Sequence, residues 1–303
     1  MTETVIKPNQ RISTTAQGAL WMVLSCALLS ALAAIARYLS LEGLHPNIIA
    51  FFRLFLALLC IVPWAIHVGV EELKTDKFKL YCFRALISMG ALMTWFWAIS
   101  LMPLAEMTAI SFLAPIFTTI GAAVFLKEIV RARRWTATII GFIGGLIIIR
   151  PGIIEMTAGS YIALLGAVFI GISILNIKTL SRTESPNKIV FYMSILMTPA
   201  ALIPALMVWE TPDTHYWGWI AAMGPLGVAA HITLVRAYSL GDASAIVPFD
   251  FSRLLFAVLI GWIAFGEVAD VWTWVGGLVI FSSSVFIVRR ESAVKTENRI
   301  KTE

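Results

Sequence analysis

Asp250 and Arg253 stand three residues apart in a run of otherwise apolar residues, and on a helix that spacing puts both on one face. A carboxylate and a guanidinium so placed suit two kinds of chemistry. The planar fork of Arg253 matches a carboxylate or phosphate through two parallel hydrogen bonds. Asp250 then either holds that fork or takes up a proton as a coupling site. The competing reading is a closed pair that only neutralises itself. Counted from Asp242, Arg253 lies eleven residues in. At 1.5 Å per residue that is about 16 Å, close to the middle of a bilayer. An Arg at that depth costs about 2.5–3.5 kcal/mol on insertion scales, so it is expected to face a cavity or a partner. Phe249 and Phe256 flank the same face, and Pro248 is placed to kink the helix and free a backbone carbonyl.

Further polar groups lie in apolar surroundings. His231 falls near the centre of its run and Asn176 inside another; each is read as a substrate contact or as a hydrogen bond between helices. Arg37 and Arg53 occupy the outer third of adjacent runs, where they line a vestibule or pair with Glu42 and Glu106. Arg84, near the cytoplasmic end of its run, is expected to snorkel to the headgroups. Trp95 and Trp97 are two residues apart and so point to different faces, one towards substrate and one towards the lipid interface. The candidate substrate-binding set is Arg253, Asp250, His231, Arg37, Trp97, Trp95 and Asn176, with Asp250 the candidate proton-coupling residue. Arg53, Glu106 and Arg236 are candidate structural or gating charges.

These residues must be held by membrane helices. Of 303 residues 59% are hydrophobic and only 14% charged, and the mean hydropathy is +0.86. Soluble domains carry about 25% charged residues, so a water-soluble globule is excluded. Ten apolar stretches, at about 18–40, 47–69, 81–101, 104–126, 135–150, 159–179, 188–209, 217–239, 243–266 and 271–288, predict ten transmembrane helices in an all-α polytopic protein. Placing the N-terminus inside puts 17 of the 23 Lys and Arg residues in cytoplasmic segments and leaves Arg150 facing out. Both termini are therefore expected in the cytoplasm. The net charge of +5 follows from that topology rather than from nucleic-acid binding. Cys26, Cys60 and Cys82 show neither a disulfide framework nor metal spacing, and the polar residues 1–17 do not read as a removable signal peptide.

The chain also repeats itself. HPNIIAFFR at 45–53 and SPNKIVFYM at 185–193 share Pro-Asn, an Ile and a Phe in register. Ala98, Ser100, Leu101, Glu128 and Trp135 recur 139 residues on as Ala237, Ser239, Leu240, Glu267 and Trp274. Five spans per half force the halves, 18–152 and 158–290, into opposite orientations, between cytoplasmic segments 1–17 and 291–303. Inverted repeats place a substrate site near the midplane and suit alternating access.

Two five-span repeats, Arg53 early in the second span, Ala114-Pro115 within the fourth and Lys127-Glu128 at its end resemble the drug/metabolite transporter superfamily, in its EamA group. Gly144-Gly145 through Arg150-Pro151-Gly152 fits the same pattern. The chain departs from it where Arg253-Leu254 stands opposite Ala114-Pro115. Within the group it resembles bacterial carriers of S-adenosylmethionine or riboflavin. The resemblance implies a central cavity lined by spans 1, 3, 4, 6, 8 and 9, which carry all seven candidate substrate-binding residues.

No phosphate-binding GxxxxGK[ST] loop, HExxH or GxSxG is present, which argues against ATP-driven transport by this chain and against a hydrolase. The expected function is secondary active transport of a small polar or amphipathic metabolite across the bacterial inner membrane. The buried arginines favour an anionic or zwitterionic solute, amino-acid-like or nucleoside-like. A passive facilitator and a membrane enzyme acting on a lipid-linked substrate are the alternatives. No catalytic residue, cofactor or metal is expected; the partners are the solute, the bilayer and a coupling proton. Gly141, Gly145, Gly276 and Gly277 serve internal packing or a homodimer, so monomer and dimer stay open. Pro199, Pro204 and Pro225 are candidate hinges.

Overall fold

The computed structural model describes residues 14–125, 132–150, 156–180, 183–240, 249–250, 252–279 and 281–282. All regular structure among them is helical. The helices are α1 (Thr14–Leu41), α2 (Pro46–Leu73), α3 (Phe78–Leu101), α4 (Leu104–Ser111), α5 (Ala114–Phe125), α6 (Ala132–Ile149), α7 (Ala158–Leu180), α8 (Pro186–Leu206), α9 (Trp217–Leu240) and α10 (Ser252–Phe265). α11 follows over 271–279. Among the described residues, six stretches, in α1, α2, α3, α7, α8 and α9, are long and apolar enough to cross a membrane. Lys127, Glu128, Arg131, Pro151, Gly152, Asp242, Pro248 and both chain ends lie outside the described residues.

The shared Pro-Asn motif has a local reason. His45 Nδ1 accepts the Asn47 N–H at 3.2 Å and Pro46 opens α2; Ser185 Oγ accepts the Lys188 N–H at 3.4 Å and Pro186 opens α8. In both, the side chain before the proline satisfies an N–H that the first turn leaves free, and proline lacks the N–H that would be orphaned there.

The expected fourth span is not one helix. It breaks at Phe112-Leu113, where the N–H groups of Phe112 and Leu113 reach back only three residues, to Ala109 and Ile110. Pro115 has no N–H to give Ser111, so the ladder cannot run on through this point. The break divides α4 from α5.

Leu39, Ile48, Leu54, Ile99, Leu104, Ile110 and Leu113 are fully buried in the main core, whereas Leu20, Ile66, Leu86, Ile203 and Ile263 stand exposed on the outside, as lipid-facing residues do. α1 packs against α9 and α10, α3 against α7 and α8, α2 against α8 and α9, α5 against α7, and α4 against α10. Exchanging the first five expected spans for the last five turns each pairing into another of the set or into itself. α6 and α11 meet at glycine: a Cβ on Gly276 would fall 2.5 Å from the Gly144 carbonyl oxygen. Gly276 therefore works inside the protomer.

Arg84 does not snorkel. It is 4% exposed, and its Nη1 donates to the Ile189 carbonyl at 3.4 Å. The end of α3 is roofed by protein: Tyr81 stacks on Tyr192 at 4.4 Å and is buried with Leu180 and Ile189. The guanidinium has no open route to the headgroups along that face.

Candidate functional site

Asp250 and Arg253 come together as their spacing predicts, with Nη2 3.3 Å from Oδ2. Their side chains keep 27% and 22% of their exposure, so the pair is part-exposed rather than sealed. α1 supports it from one side. Ser30 Oγ donates to the Arg253 carbonyl at 3.3 Å, and the Cys26 thiol lies 3.6 Å from Asp250 Oδ1. From the other side the break after α4 presents Phe112, whose ring centroid is 5.3 Å from the Arg253 guanidinium carbon, in cation–π range. Arg253 Nε is buried without a hydrogen-bond partner, so a donor remains unused. Phe249 is exposed beside the pair. The arrangement offers a cation, an anion and aromatic surface together, which suits a zwitterionic or amphipathic solute.

The other candidates are distributed elsewhere. His231 on α9 meets Arg53 on α2, Nε2 to Nη2 at 2.8 Å. Arg37 pairs with Glu267 at 3.1 Å, not with Glu42 or Glu106, and its Nη1 donates to the Ile99 carbonyl at 2.7 Å. The second oxygen of Glu267 accepts the Leu104 N–H at 3.0 Å, so this clasp ties α1, the α3–α4 joint and the chain after α10. Gly266, at φ +66°, turns the chain so that Glu267 folds back there. Arg150 pairs with Asp270, and Glu106 lies within electrostatic reach of Asp270, Arg150 and Glu267. Glu42 is held by the Tyr216 hydroxyl at 2.9 Å. Trp97 donates to Asn47 Oδ1 at 3.0 Å, and Asn47 in turn donates to the Pro204 carbonyl, which fixes α3, α2 and α8 together. Trp95 lies edge-on to Phe96. Asn176 donates to the Ile172 carbonyl of its own helix, and Arg236 is exposed over the ring of Trp21. Of the seven candidate substrate-binding residues only Asp250 and Arg253 touch each other. Sequence reasoning missed Phe112, Cys26, Ser30 and Glu267; the Ala114-Pro115 break was the available signal for Phe112.

The loops expected in the cytoplasm form their own knot. Lys188 Nζ lies 2.8 Å from Glu184 and donates to the Lys74 carbonyl at 2.6 Å, while Thr75 donates to Glu184 at 2.8 Å. Burial opposes the charge on Glu184, but hydrogen bonds from Lys188 and Thr75 with the charges of Lys188 and Lys77 outweigh it and hold the carboxyl below its ordinary value.

Comparison with known proteins gives consistent results. The sequence model of the EamA-like transporter family matches residues 16–150 and again 157–289. A riboflavin transporter of Vibrio cholerae is 31% identical over 287 residues, covering 93% of this chain and 96% of the relative. An S-adenosylmethionine uptake transporter of Rickettsia conorii is 29% identical over 292 residues, covering 96% and 98%. A solved crystal structure superposes with a TM-score of 0.64 over 90% of this chain and 98% of its own, at 15% identity, which speaks to the fold alone.

Proposed function

The chain belongs to the EamA-like transporter family, and from that premise we propose that it is a secondary carrier working by alternating access in the bacterial inner membrane. Its relatives include named transporters of small metabolites. The observation that carries the reading is the Asp250–Arg253 pair, part-exposed, backed by α1 and faced by Phe112. Such a pair suits the polar part of a solute, with Phe112 and Phe249 against its flat or apolar part. Riboflavin and S-adenosylmethionine, named for the relatives, both join a fused nitrogen heterocycle to a hydroxylated five-carbon unit, an open chain in the first and a ribose ring in the second. A nucleoside-like solute of that kind is the proposed substrate, with Arg253 as anchor and Asp250 as its counter-ion and proton-coupling residue. The exchange pattern of the main helix pairings supports two equivalent halves, and rocking of one against the other about this level is the proposed movement. No covalent step is required.

The test is counterflow in proteoliposomes with labelled riboflavin and labelled S-adenosylmethionine. The wild type should accumulate label against unlabelled solute, with saturation; a facilitator that is an open channel shows no accumulation. Arg253→Ala should reduce counterflow to background while the purified variant keeps a cooperative melt. Wild-type counterflow in that variant would remove Arg253 from the site.

A further inference from the structure

The charged side chains of the interior fall into two groups. Arg37, Arg150, Arg253 and Lys188 each meet an acid, namely Glu267, Asp270, Asp250 and Glu184. Arg53 and Arg84 do not: among the described residues neither forms an ion pair, although they are only 3% and 4% exposed. Arg53 gives one hydrogen bond, to His231. A guanidinium has no acceptor to offer, so His231 Nε2 must present its lone pair, and the ring is neutral with its proton on Nδ1. That contact leaves the charge of Arg53 unanswered. Arg84 has a long bond to the Ile189 carbonyl and a 3.9 Å contact to Met193 sulfur, again with no negative partner. The Nε of both arginines is buried and unbonded, and so are the hydroxyls of Tyr81, one turn before Arg84, and Ser194, beside Met193.

α2 packs against α3, α8 and α9, and α8 against α3 and α9, so the helices that carry these groups are neighbours, and His231 lies within electrostatic reach of both arginines. Space is kept for the Arg53 head: a Cβ on Gly227 would stand 3.3 Å from its Nε. Two buried cations with unused donors are costly unless an anion completes them, and buried polar atoms without a partner call for a water or an ion. We propose that Arg53 and Arg84, with His231 between α2 and α9, form a second binding site that takes an oxyanion, a carboxylate or phosphate group. Two planar forks and neighbouring hydroxyl donors match an oxyanion better than a spherical ion. The site uses other residues on other helices than the Asp250–Arg253 pair and does not depend on the transport reading. The oxyanion is either free in solution or part of the transported solute.

The experiment titrates inorganic phosphate, and separately acetate, into the purified full chain while the melting midpoint is read. Ionic strength is held constant with the potassium salt of a bulky sulfonate. The midpoint of the wild type should rise to a plateau with at least one of the two anions. Arg84→Gln and Arg53→Gln should each weaken the apparent affinity tenfold or more. Where Arg53→Gln does not fold, Arg53→Lys keeps the charge without the fork and should still lose affinity. Lys79→Gln removes an exposed cation away from both sites and should respond as the wild type does; the melt needs no transport, so failure here and failure of the transport reading are distinguishable. Competitive inhibition of counterflow by phosphate or acetate would assign the site to the solute's own acidic group. Inhibition of another kind, or none, would assign it to a free anion. A linear rise with no plateau, no rise at all, or arginine variants that titrate like the wild type would overturn the site.

Discussion

Asp250 is held between opposites: the guanidinium of Arg253 on one side and the uncharged thiol of Cys26 on the other. Asn keeps its shape and removes its charge and its proton, so Asp250→Asn should flatten whatever pH dependence uptake shows. An unchanged profile in proteoliposomes would make Asp250 a structural partner of Arg253 and nothing more. At this scale the sequence was informative where partners are near neighbours. Asp250 and Arg253 share one face of one turn, so their spacing was enough. Arg37 was a different case: its acid is 230 residues away, and Glu42 and Glu106, closer along the chain, were the partners its position suggested. Arg53 and His231, separated by 178 residues, had the same difficulty. Depth within a span tells that a charge needs company; it does not tell which helix supplies it.

Elements were legible where composition alone decides them, and the long apolar helices lie where hydropathy puts them. Helix breaks and close approaches were harder, because they depend on single backbone groups. The Phe112-Leu113 break needed Pro115 to be read as an interruption rather than as one more membrane proline. The approach of α9 to α2 rests on Gly224, where a Cβ would fall 2.6 Å from Leu56 Cβ and 2.8 Å from its backbone. Alanine gains about 1 kcal/mol over glycine in helix propensity, but overpacking costs about 1–3 kcal/mol. Gly224→Ala should therefore lower the melting midpoint; a rise would mean that the two helices have room to part. The loop knot makes a pH-linked prediction. Because the Glu184 carboxyl is depressed in the folded state, its stabilisation is present above the ordinary carboxylate range and is lost as pH falls through the depressed value. Melting midpoints followed downward from neutral pH should drop less steeply in Glu184→Gln than in the wild type, and parallel curves would show that the knot adds no pH-linked stability.

Over the whole molecule, the family model matches twice along the chain, and the main helix pairings map onto one another when the two sets are exchanged. Opposite orientation of the halves is a separate matter, set by loop charge and span number. Reporter tags on the two termini should both read cytoplasmic, and a split result would mean an odd number of spans and end the inverted arrangement. The Pro-Asn landmark of the repeat opens a helix in both halves, each time behind a side chain, His45 or Ser185, that caps the first turn. One element joins distant parts of this architecture. α4 is eight residues long, about 12 Å; Glu267 holds the N–H at its first residue, and the residue after its last lies over Arg253. So short a helix is a stiff pushrod between the two contacts. In the proposed carrier, a solute that shouldered Phe112 aside would press on the hydrogen bond at the far end, and the clasp of Arg37 and Glu267 would register cargo it never touches.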